Sequence, residues 1–465
     1  MKHSETLYIP TEGKEEDESP WVGTIDAPTP DDTSFRFNLS RHVDPKNMYA
    51  TDPLTNAPTV IALLDHQRQC TLVRPLVFRV DPGSLDVMNV AQRTRVEGTC
   101  QAIVDGLAIT DPTEKVFLAL RFESPALGAW YSGRAFKKVR DDETRTESLI
   151  ASPPQSTSYQ IPDIGLASVE TQVRMRSIDE CEEVRTSTVF SMTFNDPQSL
   201  EGIQTLAFDF ERLFGFLIGH RGKMPEFRIQ HKEKYELGQR TLHHEGVLRL
   251  GGVQYKTEVI PHFSRRTTQL SFPTNDFGDI LEFFAKNRDK MLHRIHAVEL
   301  SLQFQSDLVD RFNGMMPVLE RDMTKRYIEP KEESYLDRKG AFFDYIESAP
   351  DDGIKEFSRK HMRLQDEKNP SLATCIDRAV IFLNSKGFRF PTDLGKRLSK
   401  RRGNLFHGGN SLKLDDVPNL YEEVRAATGL VQLHILLDLG MDIALLAEHH
   451  SGLPDIEPFL KPCPS

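Results

Sequence analysis

The sequence predicts an α+β multidomain chain, with a β-rich, sandwich-like amino-terminal half followed by an all-α carboxyl-terminal third. Three observations carry that reading. Up to residue 272, short runs of β-branched and aromatic residues end in turn formers such as Asp-Pro, Ser-Pro and Asn-Asp-Pro. Beyond Pro273, apolar residues recur at intervals of three and four, the period of an amphipathic helix. At 465 residues the chain also exceeds the size at which one hydrophobic core usually keeps growing.

The β-type runs are Thr71 to Val80, Lys115 to Phe122, Thr188 to Phe194 and Gly246 to Ile260, the last around the Gly251-Gly252 break. Between them, Asp141 to Pro162 is rich in Ser, Thr, Pro and charge and reads as a long exposed loop. Asp196 to Ile218 interrupts the pattern, because Leu200, Ile203, Leu206, Phe210, Leu213 and Leu217 mark one face of a helix that would pack on the sheet. After residue 273, Ile280, Phe284, Met291, Ile295, Val298 and Leu302 trace one apolar stripe with a single gap of seven, which predicts a long helix over Phe277 to Arg311. Further helices are expected at Phe312 to Tyr327, punctuated by Gly314 and Pro317, and at Asp337 to Ser348, Ser371 to Asn384, Thr392 to Arg402 and Pro418 to Glu448, the last bent at Gly440.

These textures divide the chain into a disordered acidic tail over residues 1–20, a β-rich domain over 21–272 and an α-helical domain over 273–465. The tail carries Glu15, Glu16, Asp17 and Glu18 and lacks the apolar centre of a signal peptide. Cys70, Cys100, Cys181, Cys375 and Cys463 lie far apart, with no pair at metal-ligand or redox spacing, so a reducing, cytoplasmic setting is expected with neither a disulfide framework nor a zinc site. Leu430 to Ala447 is the longest apolar stretch. His434, Asp438 and Asp442 interrupt it, so it reads as a buried helix and not a membrane span.

A formal charge of −11 argues against binding nucleic acid over the whole surface, so any such contact must be local. The place for it is Lys396 to Gly409, where Lys396, Arg397, Lys400, Arg401 and Arg402 precede a single histidine, His407. A guanidinium beside an imidazole suits phosphodiester chemistry. The cation stabilises charge on phosphorus while the histidine moves protons near neutral pH. In-line attack by an RNA 2′-hydroxyl needs a base, an acid and a cation, and no metal. The bland alternative is a solvated helix end whose cations offset the last carbonyls, with Gly408 or Gly409 as the stop.

Spacing alone decides little, because an arginine followed after four to six residues by a histidine is common and recurs here in Arg36 with His42 and Arg288 with His293. The first pair reads as a loop coincidence, the second as exposed or flanking positions of the long helix. On one unbroken helix, positions 402 and 407 point about 140° apart. They could share a phosphate if Gly403 loosened the turn or if a second copy completed the site. Adjacent residues of a strand face opposite ways, which discounts His243-His244 with Glu245 as a metal site, and the glycine pairs match no phosphate-cradling loop. Glu320 and Arg321 are either a surface pair or part of a groove.

With these residues in hand, the carboxyl-terminal third resembles a HEPN domain of the ApeA-like kind. The likeness rests on Phe277 to Arg311, on Met316-Pro317-Val318-Leu319-Glu320, on Arg402-Gly403-Asn404-Leu405-Phe406-His407-Gly408, and on Leu433 to Gly440. The β-rich half more loosely resembles the ApeA amino-terminal domain through Phe194 to Arg228. The resemblance implies a homodimeric, metal-independent endoribonuclease of anti-phage abortive infection that uses no cofactor. Arg402 and His407 would meet at the dimer interface, with Lys400 and Arg401 on the RNA backbone. The family usually has a polar residue, often asparagine, directly after the arginine. Here that place holds Gly403, so Asn404 substitutes from one position later or Arg401 shares the work. Host or phage RNA, transfer RNA among the candidates, would be the substrate, and the β-rich domain would take a phage-derived trigger, with no membrane involved. The alternative is a catalytically inactive HEPN dimer that serves as scaffold for a β-sandwich binding module.

Overall fold

The computed structural model describes residues 4–10, 20–28, 34–43, 54, 57–65, 68–81, 92–130, 136–140, 147–151, 156–178, 181–219, 226–251, 277–301, 307–327, 333–361, 371–407, 414–448 and 459. The amino-terminal strands are β1 (Ser4–Ile9), β2 (Trp21–Asp26), β3 (Phe35–Val43), β4 (Thr59–Leu64), β5 (Arg68–Val73), β6 (Leu76–Asp81), β7 (Gln92–Cys100), β8 (Ala102–Asp105) and β9 (Phe117–Glu123). A short helix α1 (Pro125–Trp130) precedes β10 (Phe136–Arg140), β11 (Glu147–Ala151), β12 (Ser156–Ile161), β13 (Gly165–Ile178) and β14 (Cys181–Gln198). Helix α2 (Leu200–Ile218), β15 (Phe227–Leu237), β16 (Arg240–Leu250) and α3 (Phe277–Lys286) follow. The remaining helices are α4 (Arg288–Ser301), α5 (Leu308–Tyr327), α6 (Glu333–Glu347), α7 (Asp352–His361), α8 (Leu372–Ser385), α9 (Leu394–His407), α10 (Val417–Asp438) and α11 (Ile443–Glu448).

Among the described residues, fourteen strands pair antiparallel in the order β12-β13-β14-β9-β15-β16-β8-β5-β4-β1-β2-β3-β7-β6, and β10 pairs with β11. The β-rich-then-α class therefore holds. Alternation fixes which face is buried: Leu7 and Ile9 of β1, Phe35, Phe37 and Leu39 of β3, and Val60, Ala62 and Leu64 of β4 all turn into one apolar cluster. Strand β1 corrects the expectation of a tail over residues 1–20. It pairs with β2 and β4, and burial of Leu7 and Ile9 offsets the cost of ordering it. The acidic residues 15–18 lie outside the described residues.

The loop expected over Asp141 to Pro162 is also corrected, since it contains β11 and β12. Strand β12 keeps its place by pairing with β13 from Ser156 to Ile161, a long-range partner that local composition does not display. Thr71 to Val80 is two strands and not one, parted at Arg74, whose φ of 47° is left-handed. Arg36 and His42 lie on β3, not in a loop.

The helix expected from Asp196 starts at Leu200. Ser199 caps it, its Oγ accepting from the Gly202 N–H at 3.1 Å, and Gly219 ends it at φ 67°. Its buried face carries Phe210 and Phe214 against Phe190 of β14, at centroid distances of 5.1 and 5.3 Å. Each fully buried phenyl contributes roughly 1.5–3 kcal/mol. Glu211 on the same helix is buried, and desolvation pushes its carboxyl up to about 8.

Two compact units result, one of residues 1–271 with 276–286, the other of 272–275 with 287–465. Helix α3 belongs to the first, packing Phe277 against Trp130 (5.2 Å) and Phe284 against Phe210 (5.9 Å). The long helix expected over Phe277 to Arg311 is thus broken at Asn287, inside the seven-residue gap of the stripe, and Asn287 accepts from the Met291 N–H at the start of α4. The change to helical texture at 273 therefore precedes the change of unit.

In the second unit α10 lies at the centre, with Ala426 to Leu436 all buried. It packs against α4, α5 and α9, while α8 packs against α5 and α9. Helix α5 runs through Pro317 without a break, and α7, absent from the expected elements, adds a helix after α6. Gly440, at φ 76°, ends the carboxyl-terminal helix and starts α11 three residues on. No helix among the described residues is long and apolar enough to cross a membrane.

Candidate functional site

The site is built on α9. Leu394 and Leu398 are fully buried, and the same helical stripe continues to Arg401 and Leu405. Gly395 lets α9 approach α8, because a Cβ there would stand 2.1 Å from the Ala373 carbonyl oxygen. Its N–H donates to Asp377 Oδ1 at 2.9 Å, which fixes the start of α9 on α8.

Arg401 occupies an inward position, so its charge is met inside the unit. Its Nε donates to Glu423 Oε2 of α10 at 2.8 Å, with the two side chains 13% and 5% exposed. Arg397, one turn earlier, reaches the same carboxylate at 3.7 Å. Arg397 and Arg401 thus share one buried carboxylate, and Arg401, expected on the RNA backbone, is held in an ion pair inside the unit.

Arg402 sits on the flank of the stripe, and its Nη1 reaches Glu320 Oε2 on α5 at 2.9 Å, both side chains about 40% exposed. Lys396, Lys400 and Asn404 recur every fourth residue along the solvent side. From 3.6 residues per turn, position 407 falls within about 60° of Lys400 and Asn404 and about 140° from Arg402. The helix runs unbroken through Gly403, so the loosened turn considered from the sequence does not occur. Within one chain, position 402 faces α5 while positions 400, 404 and 407 share the opposite side. The side chain of His407 lies outside the described residues.

Glu320 owes its place to a buried charge network that locks α5. Arg294 of α4 is fully buried; its Nη1 donates to Asp438 Oδ2 of α10 at 2.5 Å, and its Nε meets Asp322 Oδ2 of α5 in an ion contact not aligned as a hydrogen bond. Arg326 of α5 also donates to Asp438. Burial pushes the Asp438 carboxyl up, but the hydrogen bonds and charges of Arg326 and Arg294 outweigh it and hold it below the usual carboxylate range. Beside this network, Tyr327 Oη lies 2.9 Å from His434 Nε2, and His434 Nδ1 lies 2.7 Å from the Leu430 carbonyl oxygen. A carbonyl only accepts, so Nδ1 carries the proton and Nε2 accepts from the tyrosine. Burial above all holds His434 near pKa 4, so it is neutral and structural.

Among the described residues, the other histidine pairings assemble nothing comparable. Arg288 and His293 lie on α4, with His293 exposed. His243 and His244 fall on opposite faces of β16, where His243 Nδ1 contacts the His231 carbonyl oxygen at 3.0 Å and His244 packs on the Tyr235 ring. His449-His450 and Gly408-Gly409 lie outside the described residues. Sequence reasoning left Glu320 undecided and passed over Glu423. The one available signal for Glu423 was an acidic residue at an inward position of an otherwise apolar helix, which calls for a buried cation.

A large antiparallel β unit ahead of a helical unit that carries a cationic helix defines a two-part, β-then-α protein. The chain belongs to the family of the ApeA N-terminal domain 1, whose family model matches residues 23–286. That span ends at the last residue of α3, where the first compact unit also ends. Membership points to a part in anti-phage defence. No curated protein and no solved structure matches the chain.

Proposed function

We propose that the chain is a metal-independent endoribonuclease of anti-phage abortive infection, in which two copies of a HEPN-type helical unit form the active site. One observation carries the reading: Arg402 stands at the surface of α9 next to the structural Arg401, on a helix that also presents Lys400, Asn404 and position 407. His407 takes the proton of the RNA 2′-hydroxyl or delivers one to the leaving 5′-oxygen. Arg402 stabilises the charge that grows on phosphorus. Because positions 402 and 407 diverge on one helix, the pair that serves a single phosphate comes from two subunits related by a two-fold axis. Lys400 and Asn404 contact the RNA on the side of His407, through phosphate contacts that position it without reading its sequence. The β unit receives the phage-derived trigger.

Incubation of the purified protein with total RNA, with and without a chelator, tests this. Cleavage is expected in both conditions and is lost in His407→Ala, which retains its fold. Cleavage unchanged by His407→Ala rejects the assignment.

One observation favours a second reading, an inactive HEPN dimer that holds a β-sandwich binding module. The residue after Arg402 is Gly403, which brings no polar group to the site. That reading predicts no cleavage under either condition.

A further inference from the structure

We infer that Glu320 is a positioning residue that competes with RNA for Arg402, so that substrate binding requires exchange of an internal carboxylate for a phosphate. The inference rests on the ribonuclease reading and concerns the regulation of its site. Arg402 is a half-exposed arginine of the basic segment, and its guanidinium meets the carboxylate of Glu320 at 2.9 Å through Nη1. A carboxylate and a phosphate claim a guanidinium in the same way, by accepting charge-assisted hydrogen bonds from its edge. Glu320 therefore stands where the anionic substrate has to arrive, and its negative charge repels that substrate as well.

The geometry also sets how firm the latch is. Both side chains of the pair are about 40% exposed, so solvent screens it and its strength is that of a surface ion pair. The backbone beneath Glu320 is held in place, because Asp322, two residues on, meets the buried Arg294, and Arg326, six residues on, reaches Asp438. Such an arrangement keeps Arg402 occupied in the resting subunit and releases it to a polyanion that offers several phosphates at once. Arg401 cannot take over, because Glu423 holds it inside the unit.

The test uses the full-length protein carrying His407→Ala, so that RNA is bound but not cut, with a labelled single-stranded RNA oligonucleotide followed by fluorescence anisotropy at low salt. Glu320→Gln keeps the shape and removes the charge; it should tighten binding about two- to fivefold, the range an exposed ion pair spans. Arg402→Gln should weaken binding and remove most of the effect of Glu320→Gln in the combined variant, leaving only the part that comes from lost repulsion. A purely structural role for Glu320 predicts weaker binding, or none, in the Gln variant. If Arg402→Gln weakens binding but Glu320→Gln leaves it unchanged or lowers it, the latch is wrong and the ribonuclease site stands. If binding ignores Arg402 altogether, the site itself is wrong and the latch falls with it. Circular dichroism spectra that match across the variants show that the differences come from the surface and not from unfolding.

Discussion

Arg401 and Arg402 are neighbours in the chain, yet they pair with carboxylates on different helices: Arg401 with Glu423 of α10 and Arg402 with Glu320 of α5. One step along a helix turns a side chain by about 100°, enough to take one guanidinium inside and leave the next at the surface. The basic segment is therefore not a uniform patch. Part of it holds α9 to the helical unit, and part is available to a substrate.

Replacing these two arginines should separate stability from activity. Arg401→Ala leaves Glu423 buried without its main cation and should cost about 3 kcal/mol or more, whereas Arg402→Ala should change stability by less than about 1 kcal/mol. Chemical denaturation followed by circular dichroism reads the first effect. RNA cleavage, which Arg402→Ala should abolish, reads the second.

The helical unit should weaken in acid through His434. Its folded pKa, near 4, lies below the ordinary 6.5, so the neutral form is the one the fold selects. That stabilisation is complete above about pH 6.5 and is lost as the pH falls towards 4. It amounts to about 3 kcal/mol at most, at 1.36 kcal/mol per pKa unit. Denaturation midpoints at pH 7 and pH 4.5 should differ more in the wild type than in His434→Gln.

Glu211 in the β unit predicts the opposite slope. Burial raises its carboxyl from 4.5 to about 8, so the folded state holds a proton that the unfolded chain gives up. Stability is greatest below about pH 4.5 and falls as the pH rises through 8, by an amount of order a few kcal/mol. Glu211→Gln should be near neutral at pH 5 and clearly stabilising at pH 8 in the same denaturation assay.

The two glycines of α9 should respond in contrary ways. At Gly395 a methyl would press on the Ala373 carbonyl 2.1 Å away, so Gly395→Ala should force α8 and α9 apart and lower the melting temperature. At Gly403 a methyl meets nothing within 4 Å, and Gly403→Ala should stabilise by about 0.5–1 kcal/mol, the usual gain in a helix interior. A thermal melt of the two variants beside the wild type separates them.

Periodicity made much of the architecture legible: the helix that ends at Ile218, the stripe of α4, and α8 were all written as spacing, and Gly440 marked the interruption that separates α10 from α11. What escaped was non-local. β12 depends on β13 and β1 on β2, and pairing of that kind leaves little trace in a short polar segment. The break at Asn287 was visible as a gap of seven but not read as one. At the site, the sequence displayed the cations without their counter-charges. Glu320 and Glu423 lie on helices far away in the chain, so only tertiary packing distinguishes Arg401 from Arg402.

The most direct test of the central claim mixes two inactive proteins. Arg402→Ala and His407→Ala are purified separately, then unfolded and refolded together so that mixed dimers form, and the cleavage of RNA is measured. If Arg402 of one subunit works with His407 of the other, a mixed dimer contains one intact pair, and cleavage returns to a substantial fraction of the wild-type rate. Mixed dimers that form and remain as inactive as either parent contradict a site shared across two copies.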